Sequence, residues 1–219
     1  MTELKPGAPL AVGYEAIPAG GAGPGVLVLH AWWGLNDFFR GFCDRLAEAG
    51  FVVVAPDLWG GVVATTQAQA QSLIDQRDDA AMFQAVSDAL AYLEAHPAVR
   101  GAGLGAVGFS MGAAWAIHLA SVRPQLRAVT LFYGIGEADF ATTKAAFLGH
   151  FADDDPWEPL EGVQQQQAAM RAAGRAASFH FYPDTGHWFF EADRPDAYNP
   201  AAATLAWERT IAFLREQLG

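Results

Sequence analysis

Short β-branched runs alternate with alanine-rich amphipathic segments along almost the whole chain, and this rhythm constrains the fold more than any other feature. Residues 26–30 (VLVLH), 51–55 (FVVVA), 104–109, 126–133, 144–148 and 177–182 read as strands. Continuous apolar runs of this length fit strands buried on both faces. Helical spacing covers 37–49, with Phe39, Phe42, Cys43, Leu46 and Ala47 on one stripe and Gly50 as a stop. It recurs over 67–95 in one or two pieces, over 111–121, over 160–173 and over 200–217. Strand–helix alternation predicts an α/β fold, a mostly parallel open sheet with helices on both faces. Ligands of such sheets bind beyond the carboxyl ends of the strands, so the residues after each strand are the ones to inspect.

Composition narrows the class further. Of 219 residues 52% are hydrophobic and 17% charged, which favours a packed core over disorder. With no internal repeat and no long linker, residues 1–219 read as one domain without a large lid. Low complexity is confined to a glycine-rich turn at 20–25 and the glutamine tract 164–167. Thirteen basic against 24 acidic side chains give a net charge of −11, which argues against nucleic acid or an anionic membrane as partner. No run of about 18 apolar residues is present, so no membrane span is expected. Residues 1–24 lack the pattern of a secretory signal. The lone Cys43 cannot form an intrachain disulfide, consistent with a cytoplasmic setting. A small-molecule substrate and a monomer or homodimer are expected.

Gly108-Phe109-Ser110-Met111-Gly112 matches Gly-x-Ser-x-Gly, between an apolar strand and an alanine-rich helix. The pattern places a serine on a strained strand-to-helix turn, and the flanking glycines avoid Cβ clashes. Alone, Ser110 could simply cap the following helix. A catalytic serine needs a base, and the base an orienting carboxylate, in the chain order Ser, acid, His of α/β-hydrolases. His187, in the turn-rich loop Tyr182-Pro183-Asp184-Thr185-Gly186-His187 after the last strand, takes the base position. His96, His118 and His180 lie at a helix end, in a helix and in a strand, while His30 and His150 come too early or on the acid's side.

The acid must follow the strand at 144–148, where Asp153, Asp154 and Asp155 precede Pro156-Trp157-Glu158-Pro159. Asp155 is favoured because Pro156 holds it extended, with Asp153 in reserve. The same run could be a solvated loop or a calcium or magnesium site. A metal site built on His187 and Glu191 lacks a third ligand, and neither metal nor cofactor is expected. The oxyanion hole would use the N–H of Met111, after the nucleophile, and that of Trp32, after an early strand. Trp32, Trp33, Trp59, Trp157 and Trp188 all follow strands, which suggests an aromatic-lined pocket.

These motifs together resemble the dienelactone hydrolase (carboxymethylenebutenolidase) family of small, lidless α/β-hydrolases. The resemblance runs over nearly the whole chain. It is carried by His30-Ala31-Trp32-Trp33-Gly34-Leu35-Asn36, Ala55-Pro56-Asp57-Leu58-Trp59, the 108–112 elbow, Asp155 before Pro156-Trp157-Glu158-Pro159, and Gly186-His187-Trp188-Phe189. It implies hydrolysis of enol-lactone esters by a nucleophile–His–Asp triad, with those roles on Ser110, His187 and Asp155. Three departures stand out. Ser110 replaces the type enzymes' cysteine, and Ala31 replaces the glutamate that holds their resting thiol. Glu191 stands four residues after the histidine, where those enzymes have a substrate-binding arginine. A carboxylate there, at the pocket, would disfavour the anionic namesake substrate; equally, Glu191 could face solvent beside Arg194.

The reading is therefore a serine hydrolase of small, uncharged esters or lactones. An acyltransferase or perhydrolase would use the same triad. A low-turnover binding protein on the same fold is the non-enzymatic alternative.

Overall fold

The computed structural model describes residues 7–219. The chain divides into two compact units, Met1–Gly101 and Ala102–Gly219.

The first unit holds β1 (Leu10–Ala16), β2 (Gly23–Leu29), α1 (Asp37–Glu48), β3 (Val52–Asp57), α2 (Gln67–Asp75) and α3 (Asp79–Ala95). β2 and β3 pair in parallel, with Val26 opposite Val53 and Leu27 opposite Val54. Both are buried almost end to end, as their unbroken apolar runs require. α1 starts where Asn36 accepts from the Phe39 N–H at 3.2 Å and buries the whole stripe read from the sequence. The pattern at 67–95 is two helices, because Asp78 caps a second one by accepting from the Ala80 and Ala81 N–H groups. β1 has no counterpart among the expected strands. It runs antiparallel to β3 at an edge and is partly exposed along most of its length, so it carries no apolar run to betray it. The glycine-rich turn is also shorter than expected, since β2 already begins at Gly23.

The second unit contains β4 (Val99–Phe109, entering from the first unit), α4 (Met111–Val122), β5 (Leu126–Phe132), β6 (Ala146–Ala152), α5 (Leu160–Ala172), β7 (Ala177–Tyr182) and α6 (Pro200–Leu218). Its strands lie in the order β4-β5-β6-β7, all parallel. Phe109, Phe132, His150 and His180 form one row across them, so the residues that follow the strands emerge at one edge. Beneath that edge Phe109 stacks on Phe132 at 4.6 Å, and Phe190 closes on Phe132 at 4.5 Å. Each such ring contributes about 1.5–3 kcal/mol by burial.

β6 corrects the expected strand at 144–148. It starts two residues later and continues through Gly149 and His150 to Ala152. His150 interrupts the apolar pattern but is buried and satisfied: Nε2 lies 3.1 Å from Thr210 Oγ1 and Nδ1 2.8 Å from the Tyr182 hydroxyl. Thr210 Oγ1 already donates to the Ala206 carbonyl, so Nε2 carries the proton and Nδ1 accepts. Burial pushes this imidazole well below its ordinary pKa, as a neutral structural histidine requires. Among the described residues no helix is long and apolar enough to cross a membrane.

Candidate active site

Ser110 sits between β4 and α4 at φ 50° and ψ −114°, a left-handed conformation costing a non-glycine residue about 1–3 kcal/mol. Its backbone is held on both sides. The Ser110 N–H donates to the Phe132 carbonyl at 2.9 Å, and its own carbonyl accepts from the Ala113 N–H at 2.9 Å. Glycine is compulsory two residues before it, because a Cβ on Gly108 would lie 2.4 Å from the Gly112 oxygen and 2.6 Å from Ala113 Cα. Gly134 is equally constrained, since its Cβ would meet the Ser110 carbonyl at 2.4 Å.

From this turn the Ser110 hydroxyl reaches His187. Oγ lies 3.0 Å from Nε2, and Nδ1 of the same ring lies 2.7 Å from Asp155 Oδ2. With the carboxylate accepting, Nδ1 carries the proton and Nε2 is left to accept from the serine. The side chains of His187 and Asp155 are almost wholly buried, at 4% and 2% exposure. Their hydrogen bond is therefore weakly screened. Tyr133 at 5.0 Å, Trp188 at 4.9 Å and Trp157 at 6.3 Å pack around the imidazole.

The aspartate loop divides its work by residue. Pro156 has no N–H, and the next two, on Trp157 and Glu158, donate to Asp155 Oδ1 at 2.9 and 3.2 Å. That leaves Oδ2 for His187. Asp153 does not approach the histidine; it accepts from the Asp184 and Thr185 N–H groups at 3.2 and 3.3 Å and so shapes the loop that carries His187. Glu158 accepts from the Ile135 N–H at 3.4 Å; burial, with Asp155 adding to it, pushes its carboxyl up to about 7.

The expected pocket residues fare unevenly. Trp157 is 48% exposed and Trp188 partly so, so both can line an opening. Trp59 corrects the expectation. It has no exposed surface, and its indole N–H donates to the Trp32 carbonyl at 2.9 Å, so it braces the 31–34 loop from inside its unit. Trp33 is buried too and packs edge-on against Trp32 at 5.3 Å. Glu191 is the larger correction. Residues 187–190 form successive turns, not helix, with Trp188 at φ 66°. Glu191 is fully buried, neither at an open pocket wall nor in solvent. Its Oε1 accepts from the Tyr133 hydroxyl at 2.8 Å, and burial pushes its carboxyl up to about 8.

Two residues were missed. Tyr133, just after β5 at φ 38°, touches both His187 and Glu191; a bulky residue wedged between a strand end and Gly134 was the available signal. His30 fixes a peptide plane in the first unit. The Leu58 N–H donates to Nε2 at 3.1 Å, so Nδ1 carries the proton toward the Ala31 carbonyl at 2.6 Å. Gly34 N–H reaches the same carbonyl at 3.3 Å. The trans peptide then points the Trp32 N–H the opposite way. No group of His, Cys, Asp and Glu among the described residues is arranged to hold a metal ion. Cys43 is buried in α1 and its thiol is pushed up by burial.

A serine, aspartate and histidine in this order, each beyond a parallel strand, invite comparison with known proteins. The family model for the dienelactone hydrolase family matches residues 12–218. A Bradyrhizobium protein named a probable 2-oxo-3-(5-oxofuran-2-ylidene)propanoate lactonase is 31% identical over 89% of this chain and 84% of its own. Protein usf of Aquifex pyrophilus is 30% identical over 100% of this chain and 98% of its own. Among solved structures, a dienelactone hydrolase-like promiscuous phosphotriesterase from metagenomic libraries superposes with TM-score 0.80 at 25% identity, covering 90% of this chain and 87% of that one. The fold is that of α/β hydrolases, and with a family model spanning nearly all of its length, the chain belongs to the dienelactone hydrolase family.

Proposed function

We propose that this protein is a serine hydrolase of small, uncharged carboxylic esters or lactones, acting through an acyl-enzyme on Ser110. The observation that carries the reading is the unbroken line from Ser110 Oγ to His187 Nε2 at 3.0 Å and from His187 Nδ1 to Asp155 Oδ2 at 2.7 Å. Ser110 attacks the carbonyl carbon as His187 takes its proton, and Asp155 stabilises the resulting imidazolium. His187 returns that proton to the leaving alcohol, or to the ring oxygen of a lactone. Water, deprotonated by the same nitrogen, then attacks the acyl-enzyme and releases the acid and the serine. None of these steps calls for a metal or cofactor.

The Met111 N–H would hold the oxyanion. As the first residue of α4 it has no intrahelical acceptor and stands at the positive end of the helix. The resemblance assigns the second donor to the Trp32 amide, whose peptide is oriented within its own unit by His30. A neutral substrate suits a chain of net charge −11, which repels anions at low ionic strength. The family match over residues 12–218 supports reading the chain as one catalytic domain.

The test is a panel of short p-nitrophenyl esters and simple lactones, run beside a fluorophosphonate probe on wild type and Ser110→Ala. Probe labelling and turnover, both lost in Ser110→Ala, support the reading. Labelling with turnover only when an acyl acceptor other than water is added points to acyl transfer. No labelling of the wild type overturns the serine mechanism.

A further inference from the structure

The loop that carries His187 is tied down at both ends, and one residue touches both ties. His187 bonds to Ser110 and Asp155. Glu191, four residues on, is held by the Tyr133 hydroxyl at 2.8 Å, with the Glu191 N–H donating to the Trp188 carbonyl at 2.9 Å. The Tyr133 ring lies 5.0 Å from the His187 imidazole and 5.6 Å from Phe189. Tyr133 thus supports the imidazole with its ring and anchors the far side of the same loop with its hydroxyl. It also follows Phe132 directly, and the Phe132 carbonyl holds the Ser110 N–H at 2.9 Å. The end of β5 therefore sets the position of nucleophile and base together.

Three costs attend this arrangement, and none is explained by packing alone. Tyr133 adopts φ 38° and Trp188 φ 66°, both unfavourable for bulky side chains. Glu191 is a fully buried carboxyl, and its Oε2 has no hydrogen-bond partner among the described residues. A leucine at 191 would avoid the buried polar group altogether. The features that do justify it are the acceptor it offers Tyr133 and the place to which that bond pins the ring.

We infer that Tyr133 and Glu191 form a positioning pair whose hydrogen bond holds the His187 imidazole in line with Ser110. Glu191 acts as an acceptor, not as a charge: its carboxyl oxygen accepts the Tyr133 hydrogen bond whether or not the acid is ionised. The burial that pushes it up to about 8 keeps it largely neutral at pH 7. The inference rests on the serine-hydrolase reading and adds two residues that act through His187.

The experiment compares Tyr133→Phe, Glu191→Gln, Glu191→Leu and the Tyr133→Phe/Glu191→Leu double variant with wild type on one neutral ester. Each kcat is expressed per serine titrated to completion with a fluorophosphonate, which removes any unfolded fraction from the comparison. Tyr133→Phe and Glu191→Leu should each lower kcat per site about tenfold, with KM within about twofold, because misalignment of the base acts on the chemical step. Glu191→Gln keeps an acceptor oxygen and should stay within about threefold of wild type. The double variant should be no worse than the poorer single, as expected when both remove one bond. Should Glu191→Leu fail to fold, Tyr133→Phe and Glu191→Gln still decide the matter. Full kcat per site in Tyr133→Phe, or a Glu191→Gln as slow as Tyr133→Phe, overturns the pair. A wild type that neither labels nor turns over overturns the serine reading itself, and the pair with it.

Discussion

Asp155 Oδ2 lies 2.7 Å from His187 Nδ1, whereas the Asp153 side chain, two residues earlier in the same loop, accepts from the backbone of the loop that carries that histidine. Two carboxylates of one short run thus have different work. Asp155→Asn should lower kcat by about 10⁴-fold, because an amide N–H facing Nδ1 favours the wrong imidazole tautomer. Asp153→Asn should keep most of the per-site turnover and cost about 1 kcal/mol of stability, since its bonds to N–H groups are partly exposed. Kinetics and urea unfolding of both variants check this, and a crippled Asp153→Asn with an intact Asp155→Asn would exchange the two assignments.

Ser110→Ala should remove at least about 10³-fold of esterase turnover while its unfolding midpoint stays close to wild type. The side chain fills no core space, and the backbone at φ 50° is no worse for alanine than for serine. Cys43→Ala should behave in the opposite way. It keeps full activity and loses about 1–2 kcal/mol, as expected for a small buried side chain in α1. A folded Cys43→Ala that has lost its esterase activity contradicts this division of roles.

Gly108→Ala tests the elbow from the other side. The added methyl would lie 2.4 Å from the Gly112 oxygen and 2.6 Å from Ala113 Cα, both backbone atoms that cannot rotate away. A loss of about 3 kcal/mol is expected. Chemical denaturation measures it directly, and a variant as stable as wild type would mean that α4 can retreat from the strand.

Glu191 makes the stability of the folded protein fall as pH rises. Its carboxyl has an ordinary value of 4.5 and is pushed up to about 8 by burial. Between those values the unfolded chain has released a proton that the folded protein still holds, so the unfolding free energy decreases with pH across this window. Glu191→Gln removes that slope. The variant should match wild type near pH 4.5 and exceed it by about 4 kcal/mol near pH 8.5. The comparison must be by difference, because Glu158, pushed up to about 7, contributes a similar slope to both proteins. Parallel stability curves for the two proteins would show that Glu191 is ionised in the folded state at neutral pH.

The parts of this protein that were legible in its amino-acid order are those set by local chemistry. Apolar runs, the α1 stripe and the capping residues locate most of the strands and helices, because periodicity and caps act within a few residues. The Gly-x-Ser-x-Gly elbow and the chain order of Ser110, Asp155 and His187 are readable for the same reason: the turn tolerates nothing but glycine at 108, and each residue simply follows a strand. β1 was illegible because an edge strand buries too little to need an apolar pattern. The extent of β6 was illegible because His150 looks like a break until Tyr182 and Thr210 are brought to it.

Glu191 and Tyr133 lie 58 positions apart and Asp155 and His187 are separated by 32. Nothing local to either residue of a pair states which oxygen it will meet. Composition marks Glu191 as one more acid on an acidic chain, with solvent or an open pocket as its natural setting. Only the turn at Trp188, which swings the 188–191 segment inward against the end of β5, decides that it is buried, pushed up from its ordinary pKa and bonded to a tyrosine. The free energy of a carboxyl depends on what surrounds it, and that surrounding exists only once the chain is folded.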